Sequence, residues 1–216
     1  MKVAALYDVH GMPWALDAVL ADAGEVDAIV FGGDLIDGPF PERVVEVVRG
    51  LDAYAVRGNC EREPSDWDRE RLAPGWLAWL AGLPLSIALD GVLYCHAAPA
   101  DDLPITTVFT PDETLVGRFP PGTTVIGHTH HQFDRCVGDV RVVNAGSVGM
   151  PFEGEVAAFW TLVTDGEPQF RKTPFDIERA IAEIEASGWP AAEAFVAENL
   201  RVAVTREEAV AQLERP

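Results

Sequence analysis

The 216-residue chain has few cysteines and few basic residues. Cys60, Cys95 and Cys136 are an odd number with no paired spacing, which argues against a disulfide framework or a zinc ribbon. We expect Cys95 and Cys136, which lie in apolar segments, to be small core residues. Sixteen Lys and Arg stand against 35 Asp and Glu, and a net charge of -19 argues against a groove for nucleic-acid phosphates. We therefore expect no long nucleic acid as a partner.

The chain also lacks a long apolar run. No stretch approaches the ~20 consecutive apolar residues that cross a bilayer, and the apolar start is cut off at Asp8, too early for a signal peptide. These features predict a soluble, cytoplasmic protein without a membrane partner. Because 48% of the residues are hydrophobic and 24% are charged, the chain can bury a core, and one domain is the default.

The first 60 residues alternate between apolar strands and helices. Pro13 fits the first turn of a helix, and Gly24 fits the left-handed position just after its end. Strands are predicted at residues 2–7, 26–31 and 53–56, and helices at 13–23 and 41–49. A strand alternating with a helix indicates a parallel sheet, and hence the α/β class.

The pattern changes after residue 66. A broken helical region is expected at 67–81, and short strands follow at 87–89, 92–95, 124–126, 140–143, 157–164 and 169–172. The dipeptides Asp90-Gly91 and Asp165-Gly166 predict tight turns between antiparallel strands. Residues 97–122 form the longest irregular stretch, where we expect a loop over a site. The tail from Asp176 is helical, with a capping-box pattern at Thr205 and Glu208.

Metal-binding residue types collect where the predicted strands end. Seven residues share this position: Asp8, His10, Asp34, Asn59, His96, His128 and His130. In open α/β sheets, ligands bind at the carboxyl ends of the strands, so residues distant in sequence converge on one edge. Asp8 and His10 are two positions apart, as are His128 and His130, so in an extended segment each pair faces the same way.

These residue types suit one kind of chemistry. Carboxylate, amide oxygen and imidazole, without paired cysteines, fit divalent metals such as Mn, Fe, Ni or Zn. A single carboxylate such as that of Asp34 can bridge two ions. Two metals ~3.5–4 Å apart can hold a hydroxide and clamp the oxygens of a phosphate. The residues therefore predict hydrolysis of a phosphoester.

Five ordered motifs carry a family resemblance. Asp8-Val9-His10, Gly33-Asp34, Gly58-Asn59-Cys60-Glu61, the lone His96 and Gly127-His128-Thr129-His130 resemble those of the calcineurin-like metallophosphoesterases. The resemblance covers about residues 1–165. It implies a four-layer α/β/β/α sandwich with two central sheets and extra C-terminal helices. We thus expect a metallophosphoesterase domain at 1–175 and a helical extension at 176–216 packed on it.

The resemblance also implies a division of the ligands between two divalent ions. The first ion would be held by Asp8, His10, Asp34 and His130, and the second by Asp34, Asn59, His96 and His128. Manganese is the expected metal, with iron, nickel or zinc as alternatives. A hydroxide bridging the two metals would be the nucleophile, and Asn59 would touch both metal and phosphate.

Cys60 departs from the best-known pattern of the family. Many members have a histidine here that protonates the leaving oxygen, whereas a thiol is a weak substitute. Because some small bacterial and archaeal phosphodiesterases also have Gly-Asn-Cys, we expect a phosphodiesterase acting on a small soluble phosphoester. The alternatives are a phosphomonoesterase, a nucleotide pyrophosphatase or a non-catalytic interaction protein of this fold. The oligomeric state is not predicted, and a homo-oligomer is one of the possible states.

Other polar residues near the motifs have less specific interpretations. Asp37 is either a turn former or a hydrogen-bond partner of the ligands. His131 points away from His130 in an extended segment, so we expect it at the surface or behind the ligands. Arg57 and Arg62 flank the Gly58-Asn59 turn, and we expect them to be solvated or paired with glutamate rather than to bind phosphate.

Overall fold

The fold has two five-stranded sheets stacked face to face with helices outside them, as a computed structural model describes it for residues 1–214. This arrangement confirms the predicted four-layer α/β/β/α sandwich. The last two residues of the predicted extension 176–216 lie outside the described part of the chain.

The first sheet combines parallel and antiparallel strands. Its order is β10-β9-β1-β2-β3, made of β1 (Lys2–Leu6), β2 (Ala28–Phe31), β3 (Tyr54–Ala55), β9 (Ala158–Thr164) and β10 (Glu167–Thr173). The three strands β1, β2 and β3 are parallel, as the alternation with helices predicts. Strand β9 is antiparallel to β1 and to β10, and Asp165-Gly166 turns the chain between β9 and β10.

The second sheet has the order β4-β5-β6-β8-β7. Its strands are β4 (Ser86–Leu89), β5 (Val92–Cys95), β6 (Gly122–Ile126), β7 (Phe133–Val137) and β8 (Val140–Asn144). The predicted Asp90-Gly91 turn joins β4 to β5, and Asp90 takes a left-handed φ of 52° there. Parallel pairing of β5, β6 and β8 brings the carboxyl ends of β5 and β6 to one edge.

Nine α-helices lie in the described residues. They are α1 (Pro13–Ala23), α2 (Pro41–Gly50), α3 (Asn59–Arg62), α4 (Asp66–Arg71), α5 (Pro74–Ala81), α6 (Asp112–Arg118), α7 (Ile177–Glu185), α8 (Ala192–Phe195) and α9 (Arg206–Leu213). A π-helical turn, Val196–Leu200, continues α8. The predicted capping box at Thr205 and Glu208 begins α9. Within residues 1–214, none of the helices is both long enough and apolar enough to cross a membrane.

Side chains of β1 alternate between two cores. Val3 and Ala5 face the apolar layer between the two sheets, and Ala4 and Leu6 face the outer layer against the helices. The outer layer also contains Ile184 and other buried side chains of α7, α8 and the π-helical turn. The tail therefore packs against the same core as α1 and α2, while the division of the chain at residue 175 stays a prediction.

Helix α3, strand β7 and helix α6 were missing from the sequence prediction. Strand β7, Phe133–Val137, pairs only with β8 and forms the edge of its sheet. Cys136 lies on this edge and is exposed, so its prediction as a core residue is wrong, whereas Cys95 is buried as expected. Helix α6, Asp112–Arg118, interrupts the stretch 97–122 that the sequence predicts to be irregular, and its Leu115 packs under the second sheet.

Candidate metal centre

The seven predicted ligands meet where the two sheets present the carboxyl ends of their strands. Asp8 and His10 follow β1, Asp34 follows β2, and His96 directly follows β5. Asn59 opens α3 just after β3, and His128 and His130 lie in the loop after β6. Five elements of two sheets thus contribute to one site, as the sequence predicts from the rule for parallel strands.

Backbone turns, rather than extended strands, aim these side chains. Asp8, His10, Asp34, His128 and His130 all have φ between 45° and 68°, in the left-handed region. Asp and His tolerate this region better than most residues, yet such a concentration of unusual conformations is typical of functional sites. Asp8 and His10 lie in one group of ligand types, as the pairing predicts, but His128 and His130 lie in different groups, so that pairing is wrong. In neither pair is alternation along a strand the cause of the side-chain direction.

The first group consists of Asp8, His10 and His130. His10 Nε2 lies 3.2 Å from His130 Nε2, and His130 Nε2 lies 3.5 Å from Asp8 Oδ1. All three residues are buried and offer ligand atoms that lie within 4.8 Å of one another. The geometry therefore brings together three of the four residues predicted for the first ion.

The second group consists of Asp34, His96 and His128, with Asn59 beside them. His96 Nε2 lies 3.4 Å from Asp34 Oδ2, 3.1 Å from His128 Nδ1 and 3.1 Å from Asn59 Oδ1. These are the four residues predicted for the second ion. Their convergence is a finding, while their assignment as ligands stays a prediction.

Asp34 lies between the two groups. Its Oδ2 is 3.4 Å from His96 Nε2 and 4.0 Å from His10 Nε2. Its other oxygen, Oδ1, accepts a hydrogen bond of 2.9 Å from the backbone N–H of Cys60. This bond fixes the carboxylate so that Oδ2 points to both groups, as a bridging ligand would require.

Two glycines make room for the carboxylates. A Cβ at Gly58 would lie 2.2 Å from Asp34 Oδ1, and a Cβ at Gly127 would lie 2.4 Å from Asp8 Oδ2. Because real Cβ atoms do not approach other atoms this closely, any side chain there would displace a carboxylate. These contacts give a physical reason for the glycines in the Gly-Asn and Gly-His motifs.

Hydrogen bonds behind the rings set which nitrogens face the site. His96 Nδ1 lies 2.9 Å from the Gly32 carbonyl, and His128 Nε2 lies 3.2 Å from the Leu103 carbonyl. Since a carbonyl can only accept, these nitrogens are the donors of the neutral rings. The opposite nitrogens, His96 Nε2 and His128 Nδ1, then present lone pairs 3.1 Å apart. This is the orientation that a metal-binding histidine needs.

The residues fit divalent cations. Asp8 Oδ1 is buried and has no hydrogen-bond partner among residues 1–214, so a carboxylate oxygen is left for a cation. Within each group, neighbouring ligand atoms lie 3.1–3.5 Å apart, and all of its ligand atoms lie within 4.8 Å of one another. Ligand atoms that share one cation at ~2.0–2.2 Å have about this separation. The donor set of imidazole and carboxylate suits manganese, iron, nickel or zinc.

The electrostatics favour charged carboxylates. Burial alone would raise the pKa of Asp34, but the His96 ring outweighs it and holds this pKa well below its usual range. His130 does the same for the pKa of Asp8. Burial lowers the pKa of His96, while Asp34 and Asp8 raise it more strongly, to about 10. A bound cation would replace that proton, because imidazole coordinates in its neutral form.

Glu61 ties two of the motif loops together. Its carboxylate is buried and accepts hydrogen bonds from the backbone N–H groups of Asp34, Leu35 and Gly58 at 2.9, 2.7 and 2.7 Å. Burial and the nearby Asp34 carboxylate raise the pKa of Glu61 to about 7. The sequence contains Glu61 in the Gly58-Asn59-Cys60-Glu61 motif, but its partners 26 and 27 positions away could not be predicted.

Asn144 supports the loop that carries His128 and His130. Its Nδ2 donates to the Gly127 carbonyl at 2.7 Å and to Thr129 Oγ1 at 2.9 Å. Its Oδ1 accepts from the N–H of Gly146 at 2.9 Å. The buried amide therefore fixes this loop against the end of β8, a function that the sequence alone does not reveal.

Asp102 was also missed and lies beside the site. It is buried, and its two oxygens accept from Arg57 Nε at 3.3 Å and Arg62 Nε at 3.0 Å. Arg62 also contacts Glu63. The expectation of solvated or glutamate-paired arginines holds for Arg62 through Glu63, but the partner that both arginines share is an aspartate, Asp102.

The remaining predictions near the site have mixed outcomes. Of the two positions predicted for His131, the surface is wrong, because the residue is only 1% exposed. It lies behind the predicted ligands, with Nδ1 2.8 Å from the Thr129 carbonyl. Asp37 has a left-handed φ of 61° and its Oδ2 lies 3.9 Å from Cys60 Sγ, so it is both a turn residue and a neighbour of the site. Cys60 is buried beside Asn59, whose Nδ2 is 3.5 Å from the sulfur.

Comparison with known proteins agrees with the motifs. The profile of the calcineurin-like phosphoesterase superfamily domain matches residues 1–167. No curated protein sequence matches the chain significantly. The matched range contains all seven predicted ligands and ends before α7.

Solved structures share the fold. A metallophosphoesterase from Sphaerobacter thermophilus is 25% identical with a TM-score of 0.76, over 91% of this chain and 97% of that one. A hypothetical protein from Pyrococcus horikoshii OT3 is 18% identical with a TM-score of 0.78, over 92% and 98%. An Escherichia coli phosphoesterase is 24% identical with a TM-score of 0.51, over 82% and 100%. The family profile matches well over half of the length of this chain. The chain therefore belongs to the calcineurin-like phosphoesterase superfamily.

Proposed function

We propose that this protein hydrolyses small phosphoesters with two divalent metal ions, and that phosphodiesters are its preferred substrates. The observation that carries the proposal is the pair of buried groups, Asp8-His10-His130 and Asp34-His96-His128, with the Asp34 carboxylate between them. Such a double site suits the in-line displacement of phosphoesters. The S. thermophilus metallophosphoesterase, which is 25% identical, supports the same class of reaction.

In this proposal, each of the two groups of residues holds one metal ion. Asp8, His10 and His130 hold one ion, His96, His128 and Asn59 hold the other, and Asp34 contributes to both. Bound divalent cations supply a hydroxide at neutral pH and positive charge against the phosphate oxygens. We assign manganese first, with iron, nickel or zinc as alternatives that have the same ligand preference.

Asn59 and Cys60 are the residues that we place closest to the substrate. The Asn59 side-chain oxygen lies 3.1 Å from His96 Nε2, and we assign its amide nitrogen, 3.5 Å from the Cys60 sulfur, to orienting a phosphate oxygen. Burial and the nearby Asp34, Glu61 and Asp37 carboxylates raise the pKa of the Cys60 thiol far above its usual range. The thiol therefore stays protonated and gives up a proton reluctantly, which favours substrates with good leaving groups.

The proposal includes the nature of the partners. The net charge of -19 repels long polyanions, whereas two cations add +4 at one point, enough to attract a single small phosphoester. A cytoplasmic location, the absence of a membrane partner and a possible homo-oligomer stay predictions. A monoesterase, a nucleotide pyrophosphatase and a non-catalytic interaction protein are the alternatives that experiment must separate.

The test combines metal analysis with substrate turnover. The purified protein is loaded with Mn²⁺, its metal content is measured, and it is assayed against an aryl phosphodiester, an alkyl phosphomonoester and a dinucleoside polyphosphate. We expect two metal ions per chain and the highest kcat/KM for the diester. Asp34→Asn, which keeps the size and tolerates the left-handed backbone, should lose metal and activity together.

A matched variant tests whether the loss of metal and activity is specific to Asp34 or follows from removing any carboxylate. Asp139, exposed in the turn between β7 and β8, is changed to Asn in parallel, and this variant should behave as the wild type. If Asp34→Asn kept both metals and most of its turnover, the bridging assignment would be wrong. A protein that binds the metals but hydrolyses none of the esters would instead favour the interaction protein.

A further inference from the structure

A third group of metal-binding residue types lies beside the two groups described above. His10, Asp37 and Cys60 offer a ring nitrogen, a carboxylate oxygen and a sulfur that all lie within 4.8 Å of one another. Cys60 Sγ and Asp37 Oδ2 are 3.9 Å apart. A sulfur and an oxygen bound tetrahedrally to one zinc ion lie about 3.6 Å apart, so a small movement brings both onto one cation. The group therefore has the spacing of a three-residue cation site.

Backbone contacts hold Asp37 beside His10. Asp37 takes a left-handed φ of 61°, and its N–H donates to the buried Asp68 carboxylate at 3.2 Å. A Cβ at Gly38 would lie 1.8 Å from the His10 carbonyl oxygen, so the turn after Asp37 packs directly on the His10 backbone. These contacts fix the turn before a cation arrives, which favours binding.

One edge of this group faces solvent. His10 is 4% exposed and Cys60 is 7% exposed, whereas Asp37 belongs to the exposed residues. A cation can therefore enter beside the Asp37 carboxylate, and a water molecule can fill its fourth position. Three protein ligands and one water are a common coordination of zinc in proteins.

The sulfur distinguishes this group from the other two, neither of which contains a cysteine. Thiolate is a soft ligand that selects zinc and similar ions, whereas carboxylates suit manganese. Burial and the carboxylates of Asp34, Glu61 and Asp37 raise the pKa of the Cys60 thiol, but the same negative charges attract a cation. When the cation binds, the S–H bond breaks and its proton passes to solvent, because a coordinated thiol is deprotonated.

We propose that His10, Asp37 and Cys60 bind a thiophilic divalent cation, such as Zn²⁺ or Cd²⁺, through one nitrogen, one oxygen and one sulfur. A neutral imidazole has a single free lone pair, so His10 serves either this cation or the first ion of the metal centre. A thiophilic cation therefore takes His10 from the group that contains Asp8 and His130. This inference goes beyond the proposed hydrolysis and does not depend on it.

The test follows the sulfur. A thiolate bound to Cd²⁺ gives an ultraviolet charge-transfer absorption that nitrogen and oxygen ligands do not give. The full-length protein is titrated with Cd²⁺, and we expect the absorption of one thiolate-bound cadmium per chain. Cadmium at the two groups without cysteine does not contribute to this absorption. The result is therefore independent of whether the protein hydrolyses phosphoesters.

Cysteine variants locate the sulfur. Cys60→Ser, checked for folding by its melting temperature, should lose the absorption. Cys136→Ser, at the exposed cysteine of β7, is the control and should keep it.

Variants of the other two residues test whether the thiol acts alone. Asp37→Asn and His10→Asn keep residues that tolerate the left-handed backbone of these positions. Each should raise the Cd²⁺ concentration at half-saturation at least about tenfold, because even contacts that only support a ligand are worth ~10–100-fold. Asp165→Asn, in another turn with a left-handed φ of 51°, is the control and should bind Cd²⁺ as the wild type does.

Three results would overturn the proposal. The first is a wild-type protein without the thiolate absorption, and the second is an absorption that disappears with Cys136→Ser rather than with Cys60→Ser. The third is a half-saturation that Asp37→Asn or His10→Asn leaves unchanged, which would mean that the residue concerned is not a ligand.

Discussion

At the scale of single residues, the site depends on side chains that tolerate unusual backbone conformations. Five of the seven predicted ligands lie in the left-handed region, and all five are Asp or His. Their short polar side chains hydrogen-bond locally, so the backbone strain is smaller than for a branched residue. Burial of three carboxylates, on Asp8, Asp34 and Glu61, adds a second cost. Bound cations and backbone N–H groups would offset it.

Cys60 is the motif position at which this chain departs from the best-known pattern that it resembles. Its backbone N–H holds Asp34 Oδ1, a contact that any residue here can make. Its side chain is 7% exposed and packs within the outer core, so a larger replacement must fit a tight space. A substitution at position 60 can therefore change the side chain while the backbone hydrogen bond to Asp34 is kept.

We predict that Cys60→His raises the activity of poor substrates selectively. An imidazole in reach of the leaving oxygen provides general acid catalysis, which is typically worth ~10²–10⁴-fold, and an alkyl monoester needs it more than an aryl diester. The expected gain is therefore in kcat/KM for the monoester, with the diester nearly unchanged. The measurement is the ratio of the two values at matched metal occupancy.

Cys60→Ser is the control for this substitution. Serine keeps the size and adds no proton donor of suitable pKa, so its ratio should equal that of the wild type. The melting temperature of both variants reports any overpacking, which typically costs ~1–3 kcal/mol. An unchanged ratio in a folded Cys60→His protein would mean that this position has no leaving-group role.

At the scale of elements, the periodicity of apolar residues predicts the strands and helices whose formation depends on contacts between residues close in sequence. Strands β1 and β2 and helices α1 and α2 have clear apolar periodicity, and all four form as predicted. Strand β7 was missed because Phe133–Val137 alternates weakly at a sheet edge. The ligand types and their order could be read from the motifs. The contacts of Glu61, Asn144 and Asp102 could not, because each joins loops that only the tertiary fold brings together.

The segment between β5 and α6 is one such loop. Its Leu103 carbonyl faces His128 Nε2, and its Thr106 carbonyl accepts from Thr129 Oγ1 at 3.1 Å. Asp102 fixes the segment to the residues around the Gly58-Asn59 turn through Arg57 and Arg62. The loop therefore sets the orientation of His128 from outside the site.

We predict that Asp102→Asn weakens metal binding without removing a ligand. The amide cannot pair with two guanidinium groups, so the loop loosens and the Leu103 carbonyl no longer holds His128 in place. Loss of such supporting contacts typically lowers metal affinity ~10–100-fold, and we expect the lower end of this range. Calorimetric titration with Mn²⁺ measures it.

Glu63→Gln is the matched control for Asp102. Glu63 contacts the same Arg62, but its side chain is 73% exposed, and exposed ion pairs contribute little. This variant should bind Mn²⁺ as the wild type does. Equal affinities for Asp102→Asn and the wild type would show that the loop does not support His128.

At the scale of the whole molecule, the strand that leads to Asp8 and the C-terminal helices share one outer core. Leu6 of β1, whose strand ends just before Asp8, belongs to the same buried cluster as Ile181 and Ile184 of α7. Polar contacts add to this attachment: Glu183 accepts hydrogen bonds from Trp14 Nε1 at 3.2 Å and from Arg43 Nη1 at 2.9 Å. The tail therefore stabilises the sheet that carries half of the site, although it contributes none of the predicted ligands.

This arrangement predicts that Ile184→Ala destabilises the protein but leaves its chemistry intact. Ile184 is fully buried, and truncation of such a side chain typically costs ~2–5 kcal/mol through lost burial and a cavity. Urea unfolding should show this loss, while metal content and kcat per folded molecule stay at the wild-type value. Val202→Ala, at a 62% exposed residue of the same tail, should change the free energy of unfolding by less than about 0.5 kcal/mol. If the two variants were equally stable, the apolar face of α7 would not be part of the core.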